Sequence, residues 1–128
     1  MNTIAGKRTL ALLWYVPAAA WAAFLLYLGT QTFDGTFEPY DLPWDKVAHL
    51  GLYGVLGGLA VIGWRRAGRW PHMLVPLSLA VAVGLVDELR QRGVPTRSAD
   101  PFDFLADMVG VVLAFAILSR ARKTEEVQ

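Results

Sequence analysis

Apolar stretches alternate with short polar blocks along the chain, and four of the stretches are oily enough to be membrane. Residues 10–29, LALLWYVPAAAWAAFLLYLG, carry no charge. Residues 47–64, VAHLGLYGVLGGLAVIGW, have only His49 and Tyr53 as ionisable side chains. The third stretch, 71–91, is uninterrupted only over 73–86, and the fourth only over 108–118. A spanning helix needs about 20 mainly apolar residues. A helix over 108–118 rises about 16 Å, against a hydrocarbon core of about 30 Å. To span, it must begin near Pro101, which draws Asp103 and Asp107 below the membrane surface. Pro101 suits a first helical turn, with Asp100 as N-cap. The pattern therefore predicts an all-α protein, a four-helix transmembrane bundle with helices at about 10–29, 46–64, 71–91 and 101–119 and a polar tail over 120–128.

The first stretch also has features of a signal peptide, with Lys7 and Arg8 ahead of it and three small residues at Ala18–Ala20. Trp21 to Leu28 carries the oil well past any cleavage point there, which favours a retained helix. Pro17 is acceptable in a membrane helix, where neighbouring groups satisfy the freed carbonyl. Gly51, Gly54, Gly57 and Gly58 would let another helix approach the second one closely.

Composition agrees with a membrane location. The 128 residues are 55% hydrophobic and 18% charged, below the usual quarter of soluble domains. That length suits one domain. A net charge of +1 argues against nucleic-acid binding. Cysteine is absent, which excludes disulfides, thiolate chemistry and cysteine zinc sites.

Basic residues set the expected orientation. Lys7 and Arg8, then Arg65, Arg66 and Arg69, then Arg120, Arg122 and Lys123 fall on one side of four spans. By the positive-inside rule both termini are cytoplasmic, as in a multi-pass protein of a bacterial inner membrane. The loop over 30–45 then lies outside, with Asp34, Glu38, Asp41 and Asp45 and no base. Arg90, Arg92 and Arg97 break the rule locally. Either the acids around them or an anionic ligand would engage them.

The segment DELRQRGVPTRSADPFDFLAD, residues 87–107, holds eight charges in 21 positions. On helices it forms a layer with the second span. His49 lies about 6 Å deeper than Asp45, Asp87 about 6 Å below Gln91, and Asp103 and Asp107 about 3 and 9 Å in. Asp45, His49 and Tyr53 are four apart, as are Asp87 and Gln91, and Asp103 and Asp107, so each set shares a helix face. Charges facing lipid are expensive, so these stripes should face one another or a watery cleft. The expected result is a polar pocket opening outward, rimmed by residues 92–99. Asp87 and Glu88 point about 100° apart; Asp87 fits the pocket better because Gln91 is its i+4 neighbour, the alternatives being Glu88 with Gln91 at i+3, or pairing of either acid with Arg90, Arg92 or Arg97.

These motifs, DKVAHLGLYGVLG followed by DELRQRGVPTRSADPFDFLADMVG, resemble the VanZ-like family of small bacterial membrane proteins. The matching positions are Asp45, Lys46, His49 and Tyr53, then Asp87, Glu88, Gln91, Pro95, Arg97 and Ser98, then Asp103, Asp107 and Gly110. The likeness covers roughly residues 44–115. Asp107 stands where many members have Asn. The resemblance implies an envelope protein, with an association with resistance to the glycopeptide teicoplanin through the family's founding member. It brings no settled biochemical activity.

The ligand-binding candidates are therefore Asp45, His49, Tyr53, Asp87, Glu88, Gln91, Arg97, Asp103 and Asp107. Each has a plainer reading beside the functional one. Lys46 reads best as a headgroup-facing residue that snorkels. Tyr53 suits an interhelical hydrogen bond, and Asp107 a bond that locks packing. Arg97 has the planar fork that takes carboxylate or phosphate, or it pairs with Asp100 or Asp103. His72 reads as interfacial on the opposite side. Three functions fit. The pocket binds an anionic lipid or a lipid-linked glycan precursor; or the carboxylates and His49 hold a divalent cation such as Mg²⁺ in a hydrolase or transferase acting on a lipid phosphate; or the layer is structural, or binds a partner. No nucleophile motif or phosphate-binding glycine loop is present, so the sequence does not compel catalysis.

Overall fold

The computed structural model describes residues 3–30, 42–93 and 101–120, with the side chains of all but 42–45. Four helices account for nearly all of these, and no strand occurs among the described residues. Helix α1 is Ile4–Gly29, α2 Leu42–Arg66, α3 Leu74–Gln91 and α4 Pro101–Arg120.

Helix α1 starts six residues before the expected position, because Thr3 caps it by accepting a hydrogen bond from the Gly6 N–H at 3.2 Å. Lys7 and Arg8 therefore ride on the helix itself. At Leu13–Tyr15 the helix tightens to a 3-10 turn. The cause is Pro17, which has no N–H to offer the Leu13 carbonyl. The Val16 N–H bonds that carbonyl instead, so no acceptor is left bare in an apolar medium.

Helix α2 closes with a Schellman arrangement. The Arg69 N–H donates to the Trp64 carbonyl at 2.8 Å and the Gly68 N–H to the Arg65 carbonyl at 3.2 Å. Gly68 at φ +70° supplies the left-handed turn that this motif requires. The chain then reverses through Trp70 and Pro71 into α3, which begins at Leu74, three residues later than expected. His72 is exposed there, and its Nδ1 accepts from the Leu74 N–H at 3.3 Å.

The α2–α4 crossing is the most intimate contact between helices. A Cβ built on Gly57 would lie 2.9 Å from both the Cα and the carbonyl oxygen of Val111. One built on Gly110 would collide with the Leu50 carbonyl and sit 2.9 Å from the Gly54 nitrogen. The two backbones pass with hydrogen atoms where side chains would stand, the close approach small residues give in bilayers. Gly51 has no such role, since a Cβ there would meet nothing within 4 Å. Helix α1 is fastened more loosely: the Trp21 indole donates to the Leu52 carbonyl at 2.9 Å and the Tyr15 hydroxyl to the Trp70 carbonyl at 2.9 Å.

Burial is inverted relative to a soluble protein. Tyr53, Leu56, Val61, Val111 and Phe115 are buried, but so are Asp87, Glu88, Gln91, Asp103 and Asp107. Leu10, Leu79, Leu105, Val112 and Ile117 are exposed around the outside. An aqueous protein would reverse this; in hydrocarbon an exposed Leu costs nothing and an exposed Asp is prohibitive. Helices α1 and α4, and the Lys46–Arg66 part of α2, are long and apolar enough to cross a membrane. Helix α3 is the exception. Its 18 residues end in Asp87, Glu88, Arg90 and Gln91, leaving a shorter oily part.

The two ends differ in character. At one, Arg8 lies over the Trp70 ring at 5.5 Å, Arg66 over Trp14 at 5.2 Å and Arg69 over Trp64 at 5.8 Å. Such pairs of arginine and tryptophan suit a membrane–water interface. The other end gathers the acids.

Candidate functional site

The end of α1, the start of α2, the end of α3 and the start of α4 converge at the acidic end. Helix α2 presents Lys46, His49 and Tyr53 at intervals of three and four residues, so all three lie toward one side of the helix. Lys46 pairs with Asp103 Oδ1 of α4. His49 Nδ1 is 2.8 Å from Asp107 Oδ1, within hydrogen-bond distance, and Nδ1 is the donor wherever the carboxylate is ionised. The other ring nitrogen, Nε2, lies 3.9 Å from Asp103 Oδ2. His49 thus sits between the two acids of α4. One turn further in, the Tyr53 hydroxyl donates to Asp87 Oδ2 of α3 at 3.1 Å.

Asp87 is the meeting point of three helices. Its Oδ2 accepts from Tyr53 and also from Gln91 Nε2 at 3.2 Å. Its Oδ1 is buried with no partner among the described residues. That oxygen lies against Gly29 at the end of α1, where a Cβ would overlap it. Gly84 makes room for the same layer from α3: a Cβ there would be 3.4 Å from the Tyr53 ring and 3.5 Å from Asp107 Cβ. Asp107, at 1% exposure, is among the most enclosed side chains in the molecule.

The sequence-derived candidates divide accordingly. His49, Tyr53, Asp87, Gln91, Asp103 and Asp107 come together in one connected layer. Glu88 is buried beside Asp87, so neighbouring acids on one helix are both withdrawn from the surface. The 100° between them separates their directions without exposing either. Lys46, read from sequence as facing headgroups, instead turns inward to Asp103. Gly29 was not singled out, and only the packing of α1 against α3 shows its part. Arg90 and Arg92 are exposed. The side chain of Asp45, together with Arg97, Ser98 and residues 94–99 of the rim expected over 92–99, lies outside the described residues.

Electrostatically, Asp87, Glu88, Asp103 and Asp107 are buried together, with Lys46 paired to Asp103 and His49 to Asp107. The described layer is thus richer in acceptors than in donors. Among the described residues no three of His, Asp and Glu are grouped so as to hold a metal ion. What the layer offers chemically is a set of buried carboxylate acceptors, one of them unfilled, next to an imidazole able to take or give a proton.

A helical membrane protein with an acid-rich polar layer at one end of its bundle is the class defined by this fold and site. The VanZ/LLP1 family model matches residues 4–122, nearly the whole chain. The chain belongs to the VanZ-like family. No curated protein and no solved structure matches it.

Proposed function

We propose that the polar end of this membrane protein faces outside and receives the headgroup of an anionic, lipid-linked envelope precursor. The carboxylates accept hydrogen bonds from the hydroxyls of the ligand, and Lys46 with Arg97 meets its phosphate. The observation that carries this reading is Asp87 Oδ1, a buried acceptor beside Gly29 with no donor among the described residues. Leaving such a group unpaired costs about 1–3 kcal/mol, a deficit that a ligand hydroxyl would remove. Carboxylates suit sugar hydroxyls because they accept through both oxygens. Any part in glycopeptide tolerance rests on the family association.

A second reading is favoured by the pairs themselves. Lys46, His49, Tyr53 and Gln91 each already hold a carboxylate, as members of a packing network would. Native mass spectrometry of the purified wild-type chain, Arg97→Ala and Asp87→Asn, with thermal unfolding of each, separates the two. Retention of a glycosylated polyprenyl phosphate by the wild type and its loss from a normally stable Arg97→Ala supports the headgroup site. Bare protein in every case, with Asp87→Asn less stable, transfers the layer to a structural role.

A further inference from the structure

The opposite end of the bundle carries a second feature that the polar layer does not use. A cavity of about 260 Å³ lies between α1, α2 and α3, open on one side and lined almost wholly by carbon. Small residues create it: Ala18, Ala19 and Ala22 of α1 stand across from Pro76 and Ala80 of α3, with Ala60 of α2 as part of the lining. Along α1 it extends from Leu12 to Ala22, about 15 Å of helix, which is half of a hydrocarbon core of about 30 Å. The groove therefore has the length of one leaflet.

Arginines stand near one end of it. Leu12 and Pro71 line the groove at that end. Arg8 is one turn above Leu12 on the same face of α1, and its guanidinium lies over the ring of Trp70, the neighbour of Pro71. Arg66 and Arg69 stack on Trp14 and Trp64 at the same end. Arg65 has a buried Nη2 with no acceptor among the described residues. Neither 3–30 nor 47–86 contains an Asp or Glu to neutralise these cations. Arginine geometry and unspent donors at an interface fit the oxygens of a phosphate.

We infer that this groove and the arginines near its end form a site for one anionic glycerophospholipid of the leaflet at the arginine end, with an acyl chain along the α1–α3 groove and the phosphate on Arg8. The site is separate from the polar layer: it lies at the other end, uses different residues and requires no glycan. The lipid would act as a filler that fastens α1, which is otherwise held to α2 by few polar contacts, to the rest of the bundle.

The test uses the full chain in nanodiscs of phosphatidylcholine doped with phosphatidylglycerol, followed by release and native mass spectrometry. The wild type should retain one phosphatidylglycerol in preference to phosphatidylcholine. Arg8→Gln should lower that preference about fivefold, the contribution of one basic residue near an anionic surface. Ala19→Trp, at an exposed position lining the groove, should exclude the acyl chain and abolish retention while far-ultraviolet circular dichroism stays helical. Equal retention of the two lipids by the wild type would overturn the inference. So would phosphatidylglycerol retention that survives Ala19→Trp. Asp87→Asn, at the other end, should leave retention unchanged; that keeps this result distinct from the fate of the headgroup site.

Discussion

Replacing Gly110 by alanine tests the crossing on which the polar layer depends. Its added methyl would be driven into the Leu50 carbonyl and to 2.9 Å from the Gly54 nitrogen. Both neighbours are backbone, so no side chain can rotate away. Overpacking a tight contact costs typically 1–3 kcal/mol, and a backbone obstacle places Gly110→Ala at the upper end. Gly57→Ala meets Val111 Cα and O at 2.9 Å and belongs in the same class. Gly51→Ala is the internal control. Its methyl enters open space on an exposed helical position, so it should be neutral or stabilise by up to about 1 kcal/mol through helix propensity. The same propensity gain applies to Gly110→Ala, so the expected gap between the two variants is the overpacking itself, about 2–3 kcal/mol. The crossing is three residues from Asp107 and one from His49, so the wedge should also loosen the 2.8 Å His49–Asp107 pair. Equilibrium unfolding in mixed detergent micelles, followed by tryptophan fluorescence, measures the free energies. Similar losses for Gly51→Ala and Gly110→Ala would refute the argument that these backbones touch.

Two further outcomes concern the polar layer. His49→Ala leaves Asp107, 1% exposed, without its imidazole and should destabilise by about 3–5 kcal/mol, while Asp107→Asn in the same chain should recover most of the loss; additive losses in the double-mutant cycle would contradict the pairing. Tyr53→Phe should cost about 0.6 kcal/mol and no more than roughly 1.7, because Gln91 still donates to Asp87; in an Asp87→Asn background the loss should shrink, as read by the same unfolding titration.

The helices were legible because hydrophobic run length is a local property. Their ends were less so. Residues 4–9 carry a Lys, an Arg and a Thr and read as a flank, yet the Thr3 cap continues the helix through them. The polar stripes were legible for the same local reason: a spacing of four places His49 with Tyr53 and Asp87 with Gln91 whatever the fold. The partners were not. Which acid meets which donor depends on how α2 crosses α4, and that is decided by the coincidence of Gly54 and Gly57 with Gly110, a relation between segments some fifty residues apart. Lys46 shows the limit. Snorkelling was the reasonable reading of a lysine at a helix start, and only the position of Asp103 on another helix turns it inward.

The brevity of α3 has a consequence for the surrounding lipid. Its lipid-facing side runs from Leu74 through the exposed Leu85, Val86 and Leu89 to the exposed Arg90, a rise of about 24 Å against a typical hydrocarbon core of about 30 Å, while Asp87 and Glu88 are turned inward. A bilayer meeting that helix is a little thicker than its apolar side. It thins there slightly, or Arg90 reaches along its stem to the headgroups. Either response fits the membrane on the acidic side to the length of α3. The protein thus acts on its solvent as much as the solvent acts on it, and membrane thickness becomes a variable of the site.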